Sequence, residues 1–334
     1  MTAVLLTCAG KRYDIVAAFR EHAFVVATDG NALAPAQYAA NVRRSVPPVT
    51  DPQYISVLTE LCQEFKIKAV VPLTDLDIET LASARDAFTA VGALLFAPDP
   101  EVARATHDKY LAHKLFLELD LPTPPTYLAT ELPNDLAFPM LVKPRAGSGG
   151  RNIYLANSPR ELDFFVDYVP EPVMAQRFMH GDEFSVDILC DLDGNCLNAI
   201  PRTMVESRGG ESIKGCTRRD PELVELGRRV GEALPCRGPA TVQCFRDPEW
   251  GIGLTDVNCR FGGAFPAPMY AGGRYPELIV RMANGERIKP HIGTFQEGVS
   301  FSRYFWHLEL TESESCDLEP TGRDFIEGGP PLPM

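Results

Sequence analysis

The sequence predicts an α/β chain with a doubly wound parallel sheet at the front and a mixed α+β region behind it. Three observations carry this. Short apolar runs alternate with helical patterns through the first hundred residues. The pattern changes after Pro100. Behind that point, three polar blocks each follow or finish an apolar strand. Strand and helix in alternation build parallel sheets with right-handed crossovers, whereas mixed strands followed by helices build α+β layers. A length of 334 residues fits about two domains.

In order, Ala3-Val4-Leu5-Leu6-Thr7 reads as a buried strand, Tyr13 to Arg20 as a helix and Phe24 to Thr28 as a second strand. Tyr54 to Phe65 has helical spacing, and Ala69 to Leu73 is again a buried strand. Ile78 to Val91 is predicted as one helix, and Leu94-Leu95-Phe96 as the next strand. The turn at Thr7-Cys8-Ala9-Gly10-Lys11-Arg12 lies where such sheets bind ligands, but it lacks the G-x-G-x-x-G of a dinucleotide site. Beyond Pro100, His107 to Leu119 is predicted as one amphipathic helix, stopped by a proline-rich segment. Met140 to Lys143 is a strand and Glu161 to Tyr168 a helix. Val173 to Phe178, Glu183 to Cys190 and Cys196 to Thr203 are strands. Pro221 to Leu234 is a helix, Thr241 to Phe245 and Gly253 to Val257 are paired strands, and Pro276 to Ala283 closes the series as a helix.

Composition excludes several classes. The formal net charge of -13 gains nothing from a phosphate backbone, so a nucleic-acid partner is not expected. No apolar run is long enough for a membrane span, and the Met1 to Arg12 segment is too short and wrongly flanked for a signal peptide. The nine cysteines are scattered and form no C-x-x-C pair, which suits reduced thiols and a cytoplasmic location. The six histidines show no metal spacing.

The first polar block is Val142-Lys143-Pro144-Arg145-Ala146-Gly147-Ser148-Gly149-Gly150. A lysine ends an apolar strand, and the small residues after it let backbone N–H groups close on phosphate oxygens. It is not a Walker A loop, because the lysine precedes the glycines. The competing reading is a flexible turn with a surface lysine. The second block is Gln176-Arg177-Phe178-Met179-His180-Gly181-Asp182-Glu183. A backbone connecting two sheets can meet an adenine edge, with Phe178 and Met179 as apolar contacts and Glu183 accepting from ribose hydroxyls. A hairpin with solvated charges competes. The third is Thr255-Asp256-Val257-Asn258-Cys259-Arg260-Phe261-Gly262-Gly263. Strand alternation would put Asp256, Asn258 and Arg260 on one face. Oxygens from Asp256 and Asn258, joined by Gln243 on the preceding strand, suit a hard cation such as Mg²⁺, and Arg260 suits a phosphoryl group on it. A solvated strand face with an Asp–Arg pair competes.

With these blocks in order, the chain resembles the ATP-grasp superfamily, and within it the carbamoyl-phosphate synthase large-chain branch and its stand-alone single-unit relatives. The resemblance runs from Thr7 to about Gly285. It implies a pre-ATP-grasp domain over 1–100, an ATP-grasp domain over 101–295 with a flap subdomain at about 122–180, and a C-terminal segment, 296–334, of unassigned role. It implies that Lys109 and Lys143 contact phosphates and that Gly147, Ser148 and Gly149 lie in the flap over them. Gln176, Arg177, Phe178 and Met179 would form the adenine linker, and Glu183 would hold the ribose. Gln243, Asp256 and Asn258 would bind Mg²⁺, with Asp256 bridging two ions, and Mn²⁺ is allowed in its place. Arg260 would face the transferred phosphate. Arg208, in the loop Ser207 to Ser212, would hold an acyl-phosphate. Three departures stand out, one of them Arg177 in place of the linker's usual acidic residue. Asp256 replaces the family's usual glutamate and Cys259 its proline.

The implied activity is that of a carboxylate–amine ligase, in which ATP phosphorylates a carboxylate and an amine displaces the phosphate. The implied partners are therefore small carboxylate and amine substrates, and a homodimer is allowed. Two alternatives belong beside it. One is carbamoyl-phosphate-like phosphorylation of bicarbonate or carbamate with a partner. The other is a nucleotide-binding module without turnover.

Overall fold

The computed structural model describes residues 1–147, 150–208, 211–304 and 306–308; for Arg208 and Glu211 the backbone alone is described. Ser148, Gly149, Gly209 and Gly210 lie outside the described residues. Met1–Tyr304 form one compact unit.

The front of that unit is a parallel five-stranded sheet. Its strands lie in the order Val42–Ser45, Phe24–Asp29, Ala3–Thr7, Ile67–Pro72, Leu94–Leu95. The central strands are buried on both faces, which is why they read as unbroken apolar runs. The order reverses between Ala3–Thr7 and Ile67–Pro72, so the turns after these strands border the crevice of a doubly wound sheet. The helix predicted from Ile78 to Val91 is two helices, Ile78–Ser83 and Arg85–Ala90.

The helix predicted from His107 to Leu119 is also broken. Pro100–His107 ends, and Lys109–Glu118 starts afresh. Asp108 is extended between them, and its carboxylate accepts from Tyr110 N (2.9 Å) and Leu111 N (3.2 Å). A short carboxylate that satisfies the first N–H groups of a helix outcompetes continuation of the turn before it.

Two antiparallel four-stranded sheets follow. One has the order Thr126–Leu128, Val173–Arg177, Met140–Pro144, Tyr154–Ala156. The helix Pro159–Tyr168 covers it, with Phe165 stacked on Tyr154 at 4.7 Å. The other has the order Cys196–Thr203, Asp182–Cys190, Gly238–Asp247, Gly251–Asn258. Helix Pro221–Ala233 packs on one face of it. The approach is close enough that a Cβ on Gly227 would lie 2.6 Å from Val186 Cγ1.

A small third sheet joins Glu206–Arg208, Glu211–Cys216 and Ser300–Ser302. Part of the segment beyond residue 300, to which the sequence reading gives no role, is thus an edge strand. Thr217 ties it in: its N–H donates to Val299 O and its hydroxyl to Gln296 O.

Candidate active site

The second antiparallel sheet has an apolar face and a polar one, and register decides which residues share each. Ser185 pairs with Arg202 on one side and with Gln243 on the other, and Gln243 pairs with Asp256. Directly paired residues point to the same face. The polar face therefore carries a row, Arg202–Ser185–Gln243–Asp256. A second row, one step along, holds Asp187, Thr241 and Asn258. Glu183 lies on the same face by alternation.

The other antiparallel sheet and the helix Lys109–Glu118 supply the cations. Lys143 near the end of Met140–Pro144 is buried, and its Nζ donates to Gln176 Oε1 at 3.0 Å. Gln176 is itself fixed, donating through Nε2 to Thr126 Oγ1 at 2.9 Å. Lys109 is set at the start of its helix by the break at Asp108. Its backbone N–H donates to Arg145 O, its Nζ to Gly147 O at 2.8 Å, and that Nζ lies 3.9 Å from Asp256 Oδ2. Arg145 closes the arrangement through an ion pair with Asp108.

The charges act on one another. Burial pulls the Lys143 ammonium down to about 8; Asp256 and Glu183 hold it up, while Lys109 pushes it further down. Burial raises the Glu183 carboxyl, opposed by Arg202 and Lys143. Lys109, Lys143, Glu183 and Asp256, from four separate elements, thus act on one another's charge. Gly147 joins them through its carbonyl.

Other expected residues stand differently. The strand ends at Asn258, so Arg260 follows it in a turn rather than continuing the alternation. Its guanidinium donates to Asp75 Oδ2 (2.8 and 3.1 Å) and to Asn258 Oδ1 (2.8 Å). Asp75 comes from the crevice of the parallel sheet, and nothing local in the sequence signals this pairing. The neighbouring turn does the same: Arg12, buried, donates to Phe261 O (2.7 Å) and Gly262 O (2.9 Å). Arg177 lies over the Trp250 ring, 4.3 Å from its centroid, and Phe178 packs edge-on to His180. Met179 is buried, and its methyl would lie 2.7 Å from a Cβ on Gly253. The Arg208 side chain lies outside the described residues.

For a hard cation the donor set is oxygen only. Gln243 and Asp256 sit side by side, Asp256 Oδ1 already accepts from Val257 N, and Asn258 Oδ1 accepts from Arg260. An amide oxygen has a second lone pair, so the three still fit one oxygen-seeking ion. Among the described residues no cluster of three or more His, Cys, Asp or Glu offers a different metal site.

Residues 4–96 match the family model "PylC-like, N-terminal domain", and residues 169–304 match "ATP-grasp in the biosynthetic pathway with Ter operon". The carbamoyl phosphate synthase large chain of Agathobacter rectalis is 24% identical over 231 residues, 63% of this chain and 22% of that protein. That of Caldanaerobacter subterraneus subsp. tengcongensis is 28% identical over 177 residues, 48% of this chain and 16% of that protein. The chain therefore spans a fifth or so of the length of these relatives. Among solved structures, N5-carboxyaminoimidazole synthetase of Staphylococcus aureus with ADP superposes with a TM-score of 0.71 at 14% identity, over 89% of this chain and 80% of that one. The biotin carboxylase domain of Hydrogenobacter thermophilus 2-oxoglutarate carboxylase, with MgADP and bicarbonate, gives 0.69 at 18%, over 90% and 73%. An L-amino acid ligase of Bacillus licheniformis gives 0.66 at 18%, over 89% and 78%. The chain thus matches a PylC-like N-terminal domain in front and an ATP-grasp family model behind, and its fold is that of the ATP-grasp structures it resembles.

Proposed function

We propose that this protein is a Mg²⁺- and ATP-dependent ligase that activates a small carboxylate as an acyl-phosphate for attack by an amine. The observation that carries this is the gathering of Lys109, Lys143, Glu183 and Asp256 at one place. An ammonium held in a dry site beside carboxylates suits a ligand that is both anionic and metal-bound.

In the reaction, a carboxylate oxygen attacks the γ-phosphorus of ATP. The new O–P bond forms as the bridging β,γ P–O bond breaks, and its electron pair leaves with ADP. The amine then attacks the acyl carbon, loses a proton and expels phosphate. Lys109 and Lys143 hold the phosphate oxygens and oppose the charge spread over them. Glu183 takes the ribose, and the backbone of Gln176 to Met179 meets the adenine. Gln243, Asp256 and Asn258 hold Mg²⁺, which when bound supplies charge neutralisation at the β- and γ-phosphates. Arg260 reaches the transferred phosphoryl by exchanging Asp75 for it, and Arg208 holds the acyl-phosphate. Ser148 and Gly149 belong with Gly147 to the flap that keeps water from this intermediate. The division at about residues 100 and 295, two metal ions, the use of Mn²⁺, a homodimer and a cytoplasmic location are parts of the same proposal.

The test is ADP release from Mg-ATP across a panel of amino acids, simple carboxylates and bicarbonate. Turnover that needs both a carboxylate and an amine supports the ligase. Turnover with bicarbonate supports the second reading, favoured by the carbamoyl phosphate synthase relatives. Tight Mg-ATP binding with no turnover on any acceptor leaves a nucleotide-binding module and overturns the enzyme.

A further inference from the structure

Among the described residues, two neighbouring side chains on the polar face are buried with a polar group unpartnered. Arg202 is only 2% exposed and Ser185 is fully buried. They are direct register partners on adjacent strands. Among the described residues, the Nη1 group of Arg202 and the hydroxyl of Ser185 each have no hydrogen-bond partner. Buried donors are almost always satisfied, and a cationic one left unmet is among the costlier defects a fold can carry.

The arginine is not loose. Its Nε donates to Asp187 Oδ2 at 2.7 Å, and Thr241 Oγ1 donates to Asp187 Oδ1 at 2.7 Å. Asp187 is fully buried, and its backbone carbonyl accepts from Tyr275 Oη at 3.1 Å. Both oxygens of the carboxylate are thus taken, and the guanidinium plane is set by one of them. The Phe301 ring faces the guanidinium with its centroid at 6.0 Å. What remains is a rigid, mostly dry pair of N–H and O–H donors with no acceptor between them.

The pair has a place in the site. The row Arg202–Ser185 continues through Gln243 to Asp256, the residues proposed above to hold the cation. Resting on the ligase reading, we propose that Arg202 and Ser185 are the carboxylate-binding end of the acceptor pocket. Arg202 Nη1 and the Ser185 hydroxyl donate to one oxygen of the carboxylate to be phosphorylated, leaving its other oxygen free to turn along the row toward the γ-phosphate. A cationic donor and a neutral one together favour an acceptor that bears charge over a carbonyl. Arg202 is then a substrate-binding residue, and Asp187 and Thr241 are positioning residues that act through it.

The test is a crystal structure of the full chain with Mg-ADP and acetate, the probe carboxylate, together with titration of acetate onto the Mg-ADP complex. An acetate oxygen within hydrogen-bond distance of both Arg202 Nη1 and Ser185 Oγ is expected. Acetate affinity should fall about tenfold or more in Arg202→Met, consistent with loss of a charge-assisted bond. It should recover in part in Arg202→Lys, which keeps the positive charge that opposes the raised Glu183 carboxyl, and Mg-ADP affinity in that variant should stay within about twofold. Because Arg202→Met strands Asp187, Ser185→Ala is the second variant; it keeps the ion pair and should weaken acetate several-fold. Water alone between the two donors, no acetate binding to the wild-type complex, or equal acetate affinity in wild type and Ser185→Ala would each overturn the subsite. Failure of Mg-ADP to lodge against Lys143, Glu183 and Asp256 in the same crystals would instead overturn the ligase reading.

Discussion

Nucleotide affinity should fall steeply as pH rises above about 8, and Lys143 should be the cause. Its ordinary value of 10.5 drops to about 8 because the ammonium is buried, with Lys109 acting in the same direction and Asp256 and Glu183 against it. A bound triphosphate adds negative charge beside it and raises that value again, so binding at high pH takes up a proton. Each unit above about 8 then weakens binding by up to a factor of ten, or about 15-fold between pH 8 and 9.5. The assay is calorimetric titration of Mg-ADP from about pH 7 to 9.5, in buffers of different ionisation enthalpy, so that proton uptake is read directly. Lys143→Arg should flatten the profile, since guanidinium stays charged throughout. The stability sign runs the opposite way. Between about 8 and 10.5 the unfolded chain holds more protons, so folding stability rises with pH across that window. At neutral pH the buried charge therefore costs up to a few kcal/mol, and Lys143→Met should raise Tm while abolishing nucleotide binding. A flat affinity profile in the wild type, or a Lys143→Met protein no more stable than wild type at pH 7 and equally affected at pH 10, would refute the reasoning.

Asp256→Ala should abolish Mg²⁺-dependent ADP release with Tm almost unchanged, because the side chain is partly exposed and its ion pair with Lys109 is long at 3.9 Å; retained turnover would place the metal elsewhere. Arg12→Met should lower stability in urea by about 2–4 kcal/mol, through loss of the bonds to Phe261 O and Gly262 O, and should reduce turnover with it. Gly227→Ala forces a methyl to within 2.6 Å of Val186 Cγ1 and should cost about 1–3 kcal/mol in urea unfolding, without change in Mg-ADP affinity. An unaltered midpoint would mean that helix Pro221–Ala233 can shift freely on its sheet.

Much of the site was legible because its polar blocks sit at the ends of strands that announce themselves. Cys196–Thr203 has the limits that its apolar run suggests, and Lys143 stands near the end of a strand whose burial the run Met140 to Val142 implies. Register did the rest: once Gly238–Asp247 and Gly251–Asn258 pair, Gln243 must sit beside Asp256. Other features were hidden for physical reasons. Asp108 suits a solvated helix face and an N-cap equally well, so periodicity alone runs through it. Thr126–Leu128 and Tyr154–Ala156 are too short for alternation to register. The partner of Arg260 lies 185 positions away in a different sheet, and no local pattern encodes a contact at that range. Ser185 looks like any polar residue in a half-buried strand, and Arg202 reads, with Arg208, Glu211 and Lys214, as a residue to meet a charged substrate or equally as part of a solvated loop. Their lack of partners emerges only when every neighbour is in place.

The hairpin that carries Arg208 has Ser300–Ser302 as its outer neighbour, and the ring of Phe301 presses so near Gly215 that a methyl there would stand 2.7 Å from it. Trimming the protein short of Ser300 removes this edge strand and uncovers the backbone of residues 214–216. A bare flank of that kind recruits any extended peptide, beginning with its own twin. Such a trimmed protein would clump and lose its grip on the acid at the same stroke, and what looks like a spare tail in the sequence would prove to be a brace for the acceptor's doorway.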